Sequence, residues 1–190
     1  MTELLLGGAS LFLLNCAMLG LKTGIVQIVP YDPAWETLFA AERGRIAAAI
    51  GSYVLAIEHV GSTAVPNLAA KPILDIAIGV AALDLVPACV APLEGLGYEY
   101  KGENGLPERH YFTRGVPLRT HHLHLVVMGQ YQWSTLVPFR DHLRRNPQTL
   151  AEYQQLKEDL AAQFPHDRAA YTDGKAKFIQ AVLRQESLSQ

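Results

Sequence analysis

The stretch HVGSTAVPNLAAKPILDIAI, residues 59–78, decides how the rest of the chain is read. It follows YVLAIEHV (53–60), a β-branched and apolar run of strand character, and it ends in ILDIAIGV (73–80), an uninterrupted apolar run of the kind buried on both faces of a sheet. Between them Gly61-Ser62-Thr63 turns sharply. Such a turn can offer backbone N–H groups and two hydroxyls to a phosphate, and Lys71, just before the second strand, can neutralise it. Asp75 sits inside the apolar strand, where a carboxylate is costly unless paired, hydrogen-bonded or metal-bound. The plainer reading is a tight turn and an Asp bonded to backbone at a strand end. A P-loop is excluded, since G-x-x-x-x-G-K-[ST] occurs nowhere in the chain.

Working outward, IVQIV (25–29) reads as a short strand and PYDPAW (30–35) as a helix start, with Asp32 as N-cap and Pro33 at the first helical position. Trp35, Leu38, Phe39, Ile46 and Ile50 then fall on one helical face, and Gly51 suits the stop. Residues 82–95 read as a helix, and Tyr98–Lys101, His110–Arg114 and His121–Val127 as three strands separated by Gly- and Pro-containing loops. Beyond these the chain is helical: Trp133–Arg145, a helix opened by Asn146-Pro147, and a last helix after Asp167 carrying Tyr171, Phe178, Ile179 and Val182. This order predicts an α+β (mixed α/β) fold, a small mixed β-sheet flanked by helices with a helical C-terminal third.

A second candidate for chemistry is THHLHLVV (120–127). Along a strand His122 and His124 share a face, roughly 7 Å apart, while His121 lies with Leu123 and Leu125. Two imidazoles so placed can converge on one metal or one phosphate; the alternative is a polar sheet face of hydrogen-bonded histidines. His59 and Glu58, being neighbours, face opposite ways, so only one can join them. Arg109, Arg114 and Arg119, then Arg140, Arg144 and Arg145, can recognise phosphate, though the commoner role is a solvated face or a local pair such as Arg140-Asp141. Tyr31, Trp35 and Trp133 read as packing residues rather than a base-stacking platform.

Composition narrows the partners. The 190 residues are 49% hydrophobic and 18% charged, with 16 basic against 18 acidic side chains and a net charge of −2. No block of like charge exists to wrap duplex nucleic acid or an anionic membrane. Two cysteines, Cys16 and a buried-looking Cys89, make no disulfide framework, which suits a reducing cytoplasm. Residues 4–21 carry no charge, yet their flanks lack the cationic segment of an export signal, and Gly7, Gly8, Ser10, Asn15 and Gly20 weaken them as a spanning helix. They are read as an extension (1–24) outside the domain, with Met18 a candidate start; a membrane segment and an extra packed helix are the alternatives.

PYDPAW, IEHVGSTAVPNLAAKPILDI (57–76), THHLHLV (120–126), FRDHLRRNP (139–147) and the later Tyr153-Leu156-Lys157 and Tyr171-Lys175-Phe178-Ile179 pattern together resemble the GrpB family over residues 25–185. That family is similar to the nucleotidyltransferase superfamily and is sometimes fused to dephospho-CoA kinase. The superfamily motif is a hydrophobic residue, Gly-Ser, a spacer and Asp-hydrophobic-Asp/Glu. Val60-Gly61-Ser62, twelve residues and Asp75-Ile76 match it, whereas Ala77 stands where the second carboxylate belongs. The resemblance implies a metal-dependent nucleotidyltransferase acting on a small-molecule acceptor. Gly61, Ser62, Thr63, Lys71 and Arg109 would hold a nucleoside triphosphate. Asp75, His122 and His124 would bind Mg²⁺ or Mn²⁺ and act in catalysis. With Ala77 in place, two alternatives stand beside it: a non-catalytic nucleotide or CoA-related phosphometabolite binder, and a metal hydrolase built on His59, His122 and His124.

Overall fold

A computed structural model describes residues 19–188. Strand β1 (Leu21–Lys22) precedes helix α1 (Ala34–Ile50), and β2 (Val54–Val60) and β3 (Leu74–Val80) enclose the Gly61 turn. Helix α2 (Val86–Gly95), β4 (Glu99–Tyr100), β5 (Arg109–Arg114), β6 (Leu118–Arg119) and β7 (His121–Val127) follow. Four helices complete the chain: α3 (Tyr131–Arg145), α4 (Pro147–Gln163), α5 (Arg168–Asp173) and α6 (Ala176–Leu188).

Five strands form one mixed sheet in the order β2-β3-β7-β5-β4. Only β3 and β7 run parallel, which places the two strands richest in chemistry side by side at its centre. One face is apolar: Ile57, Ile76, Ile78, Leu123, Leu125 and Phe112 pack against Ile46 and Ile50 of α1 and Cys89 and Leu93 of α2. Each fully buried aliphatic side chain there contributes roughly 1.5–3 kcal/mol. The opposite face carries Asp75 of β3 and His122 and His124 of β7 beneath α3 and the C-terminal helices. Close approach of α3 needs Gly79, whose Cβ would stand 2.9 Å from the Trp133 ring.

Three local expectations are corrected. The run 25–29 forms no strand beyond a single bridge from Val29 to Ala70; Val26 instead bonds to Pro165 O and packs on Leu160 and Tyr171, so its apolar side chains serve the C-terminal helices. Residues 19–24, assigned to the extension, are tied to the domain: Leu19 packs with Trp35 and Leu74, and β1 pairs antiparallel with β6. The last helix is two, broken at Gly174, with α5 capped by the Asp167 carboxylate accepting from Ala170 N at 3.0 Å. Cys16 and the rest of the charge-free run up to Met18 lie outside the described residues. Among the described residues no helix is long and apolar enough to cross a membrane.

Candidate functional site

The pleat aims Asp75 and Ala77 of β3 away from the apolar core, and the register sets His122 beside Asp75 and His124 beside Ala77. Tyr111 of β5 stands beside His124, and Glu58 of β2 beside Ala77. His122 Nδ1 lies 2.7 Å from Asp75 Oδ1, while its Nε2 lies 3.1 Å from a guanidinium nitrogen of Arg168. Arginine can only donate, so Nε2 accepts, and the imidazole proton sits on Nδ1, pointing at the carboxylate. His122 is therefore a neutral ring held between an anion and a cation. Burial, reinforced by Arg168, lowers its pKa against the pull of Asp75. Burial alone would raise the Asp75 pKa, but the pairing with His122 and His124 brings it well below the usual carboxylate range, so Asp75 is ionised. His124 Nε2 is 4.0 Å from the same Oδ1, and the buried His124 Nδ1 has no hydrogen-bond partner.

The turn that crosses Asp75 is shaped by Gly61, at φ +69°, where a Cβ would overlap the Asp75 carboxylate. Thr63 is buried; its hydroxyl bonds to Ile73 O at 3.3 Å and lies 3.0 Å from His59 Nε2, fixing the turn onto the next strand.

Opposite Asp75 stand three cations. Lys71 Nζ lies 4.8 Å and Lys175 Nζ 4.5 Å from the centroid of one ring, Tyr171, and Arg168 comes from the same short helix as that tyrosine. Burial, with repulsion from Arg168, lowers the Lys71 pKa to about 8. Burial and repulsion from Lys71 lower that of Lys175 to about 7. Behind them Lys157 is wholly buried, bonded to Ala69 O and lowered to about 7 chiefly by burial. Among the described residues none of these four cations has a carboxylate within ion-pair distance. Lys71, Arg168 and Lys175 line a cleft of about 280 Å³ whose far wall is apolar, from Leu136, Phe139, Leu143 and Ile179.

The structure thus brings together Gly61, Ser62, Thr63, Lys71, Asp75, His122 and His124, all lining one cleft. It does not bring Arg109, which donates to Glu103 O and Asn104 O and so holds the loop before β5. Nor does it bring His59, which is turned to the α1 face and stacks on Phe39 at 4.7 Å; the His59-His122-His124 set of a hydrolase is not assembled. Arg114 and Arg140 are not solvated-face residues. Arg114 bonds to buried Glu42 (2.5 Å) and His121; Arg140 bonds to Glu58 (2.7 Å), His59 O (2.8 Å) and Asp141 (2.8 Å). Sequence reasoning missed Arg168 and the convergence of Tyr171 and Lys175 on Asp75; the signals were the Asp167 cap, which places Arg168 in the first turn, and the i, i+4 spacing of Tyr171 and Lys175.

A two-metal centre does not fit these donors. Ala77 supplies no ligand, Glu58 is held by Arg140, and both nitrogens of His122 are engaged. What remains is one carboxylate and His124 facing Lys71, Lys175 and Arg168, and among the described residues no group of three His, Cys, Asp or Glu side chains could hold a metal ion.

The sequence profile described as GrpB protein matches residues 25–185. The chain belongs to the GrpB family. A UPF0157 protein of Pseudomonas aeruginosa is 43% identical over 162 residues, covering 83% of this chain and 66% of that protein. UPF0157 protein YqkA of Bacillus subtilis is 39% identical over 83% of this chain, which spans only 46% of the YqkA length. The crystal structure of the conserved protein GrpB from Enterococcus faecalis superposes with a TM-score of 0.77 at 36% identity, over 84% of this chain and 96% of that one. A dephospho-CoA kinase of Mycolicibacterium paratuberculosis is 27% identical over 84% of this chain and 45% of the kinase.

Proposed function

We propose that this GrpB domain binds a phosphorylated small molecule, a nucleotide or a CoA-related phosphometabolite, in the cleft over Asp75. The observation that carries the reading is the convergence of Lys71, Lys175 and Arg168, none paired with a carboxylate, on a partly apolar cleft. Half-buried cations without counter-charges are costly, and an anion entering between them removes that cost. At about 280 Å³ the cleft is at the small end of ligand pockets, which run from roughly 300 to 1,000 Å³, so it suits a phosphorylated head group. The similarity to part of a dephospho-CoA kinase supports a phosphorylated, nucleotide-type ligand.

Nucleotidyl transfer is the second reading, favoured by Asp75 standing beneath the Gly61-Ser62 turn at the motif position. It calls for carboxylates to bridge metal ions to a triphosphate, and the donors at positions 58, 77 and 122 do not offer them, so binding is preferred. Thermal-shift measurements with phosphate, AMP, ATP and CoA, each with and without Mg²⁺ or Mn²⁺, separate the two. Stabilisation by phosphorylated ligands in the absence of divalent ions supports binding. Pyrophosphate release from a nucleoside triphosphate that requires Mg²⁺ and Asp75 supports transfer; no shift with any ligand removes the binding reading.

A further inference from the structure

The charge carried by the cleft specifies the ligand more narrowly than "phosphorylated", an inference that rests on the anion-binding reading above. Lys71 projects from the segment before β3, Arg168 from α5 and Lys175 from the α5–α6 junction. Facing them, β3 presents Asp75, and β7 presents His122 and His124. Tyr171 on α5 and Tyr153 on α4 add phenols whose pKa values burial raises, so both are neutral. Helix α3 presents Arg140, whose charge is met by Glu58 and Asp141. His122, donating to Asp75 and accepting from Arg168, is neutral. With all three cations protonated, the state an anion between them favours, one carboxylate leaves two positive charges for the ligand to match.

Those charges are concentrated. Both ammonium groups pack on the single ring of Tyr171, and Arg168 reaches over His122 to the Asp75 end of the same cleft. A guanidinium fork with two ammonium groups suits one compact group bearing two charges and several acceptor oxygens. We propose that the ligand is a phosphomonoester dianion, held by Lys71, Lys175 and Arg168 without a bridging divalent ion, with its organic part against Leu136, Phe139 and Ile179. A phosphodiester leaves one positive charge unmatched, and a divalent cation adds to a charge already in excess.

Proton linkage follows from the same groups. Lys71 and Lys175, lowered to about 8 and about 7, are partly deprotonated at pH 8, and a dianion between them restores their protons. Binding at pH 8 therefore takes up protons. Below about pH 6 the monoester itself becomes a monoanion and loses its advantage over a diester.

Isothermal titration with AMP, adenosine 5′-methylphosphate, inorganic phosphate and succinate, in EDTA and then in excess Mg²⁺, tests this. At pH 8 AMP is expected to bind at least ~10-fold more tightly than its methyl ester, equally with EDTA or Mg²⁺, and with net proton uptake seen as a dependence of the heat on buffer ionisation enthalpy. At pH 5 the preference is expected to shrink to about 3-fold or less. Lys175→Gln is expected to remove most of it at pH 8, in a variant relieved of a half-buried, unpaired charge and therefore able to fold. If AMP and its methyl ester bind equally, or only with Mg²⁺, the dianion inference fails while the anion-binding cleft stands. If succinate competes as well as phosphate, the phosphate assignment fails; if none of the four binds, both readings fail together.

Discussion

Asp75 gathers the consequences of one residue choice. It stands in a strand that is otherwise apolar, and its ionisation is maintained by His122 at 2.7 Å and by His124. Asp75→Asn removes the only carboxylate that, among the described residues, faces Lys71, Lys175 and Arg168, and a loss of about 2–4 kcal/mol in urea unfolding is expected. Anion affinity is expected to rise or stay level in the same variant, since a negative charge leaves the cleft; a metal-bridged site would lose it. Gly61→Ala forces a side chain into the left-handed backbone at φ +69° and into the Asp75 carboxylate, so a loss of at least about 2 kcal/mol is expected, with the altered turn also weakening ligand binding. At this scale much was legible: Gly61, Ser62, Lys71, Asp75, His122 and His124 are close in sequence to the strands that place them, and alternation along β7 puts the two histidines on one face. Arg109 misled because it neighbours the same strands while pointing to its own loop. Arg168 was invisible in its role, because only the packing of a helix nearly fifty residues downstream brings it to His122.

Secondary structure followed from periodicity wherever an element had an apolar face and a turn to end it. The run 25–29 shows the limit. Its β-branched apolar residues match a strand, but Pro30 lacks an N–H, the backbone makes one bridge only, and the side chains find their partners on α4 and α5. Element contacts also explain why arginines expected at the surface are tied into the fold. Arg140 ties α3 to β2 through Glu58 and the His59 carbonyl, and Arg144 ties the same helix to Ala64 O at 2.7 Å. Arg140→Ala leaves the Glu58 carboxylate and the buried His59 carbonyl without their donor and detaches α3 from the cleft wall. The expected cost is about 2–4 kcal/mol in chemical unfolding, with ligand affinity lowered as Phe139 shifts. A change below about 0.5 kcal/mol would mean that the sheet holds α3 by apolar packing alone.

Across the whole molecule, the buried bases set the dependence of stability on pH. Burial lowers His59 and His121 to about 4, and the latter is lowered further by Arg114, so both stay neutral in the fold while they protonate near 6.5 when unfolded. Lys71, Lys157 and Lys175, lowered to between about 7 and about 8, carry fewer protons folded than unfolded up to pH 10. In both windows the unfolded chain binds more protons, so stability rises with pH, by at most about 1.4 kcal/mol per pH unit for each group. A thermal midpoint that climbs from pH 5 to pH 9 is expected. Added phosphate should flatten the rise between pH 7 and 9, where it is the lysines that titrate; a midpoint that stays level over that interval without phosphate would show the lysines to be fully charged in the fold. None of this was legible in a net charge of −2, because the cations that matter are drawn from three separate parts of the chain and converge only on folding.

If this convergence makes the Asp75 cleft an anion site, as proposed, an anion binds there and nowhere else on the chain. Titrating the isotopically labelled protein with AMP in EDTA, and following backbone amide and lysine ammonium resonances, should give saturable shifts confined to Gly61–Thr63, Lys71, Arg168 and Lys175, lost in Lys71→Met/Lys175→Met. Shifts centred on Arg109 and the loop before β5, or no saturable shift anywhere, would contradict it.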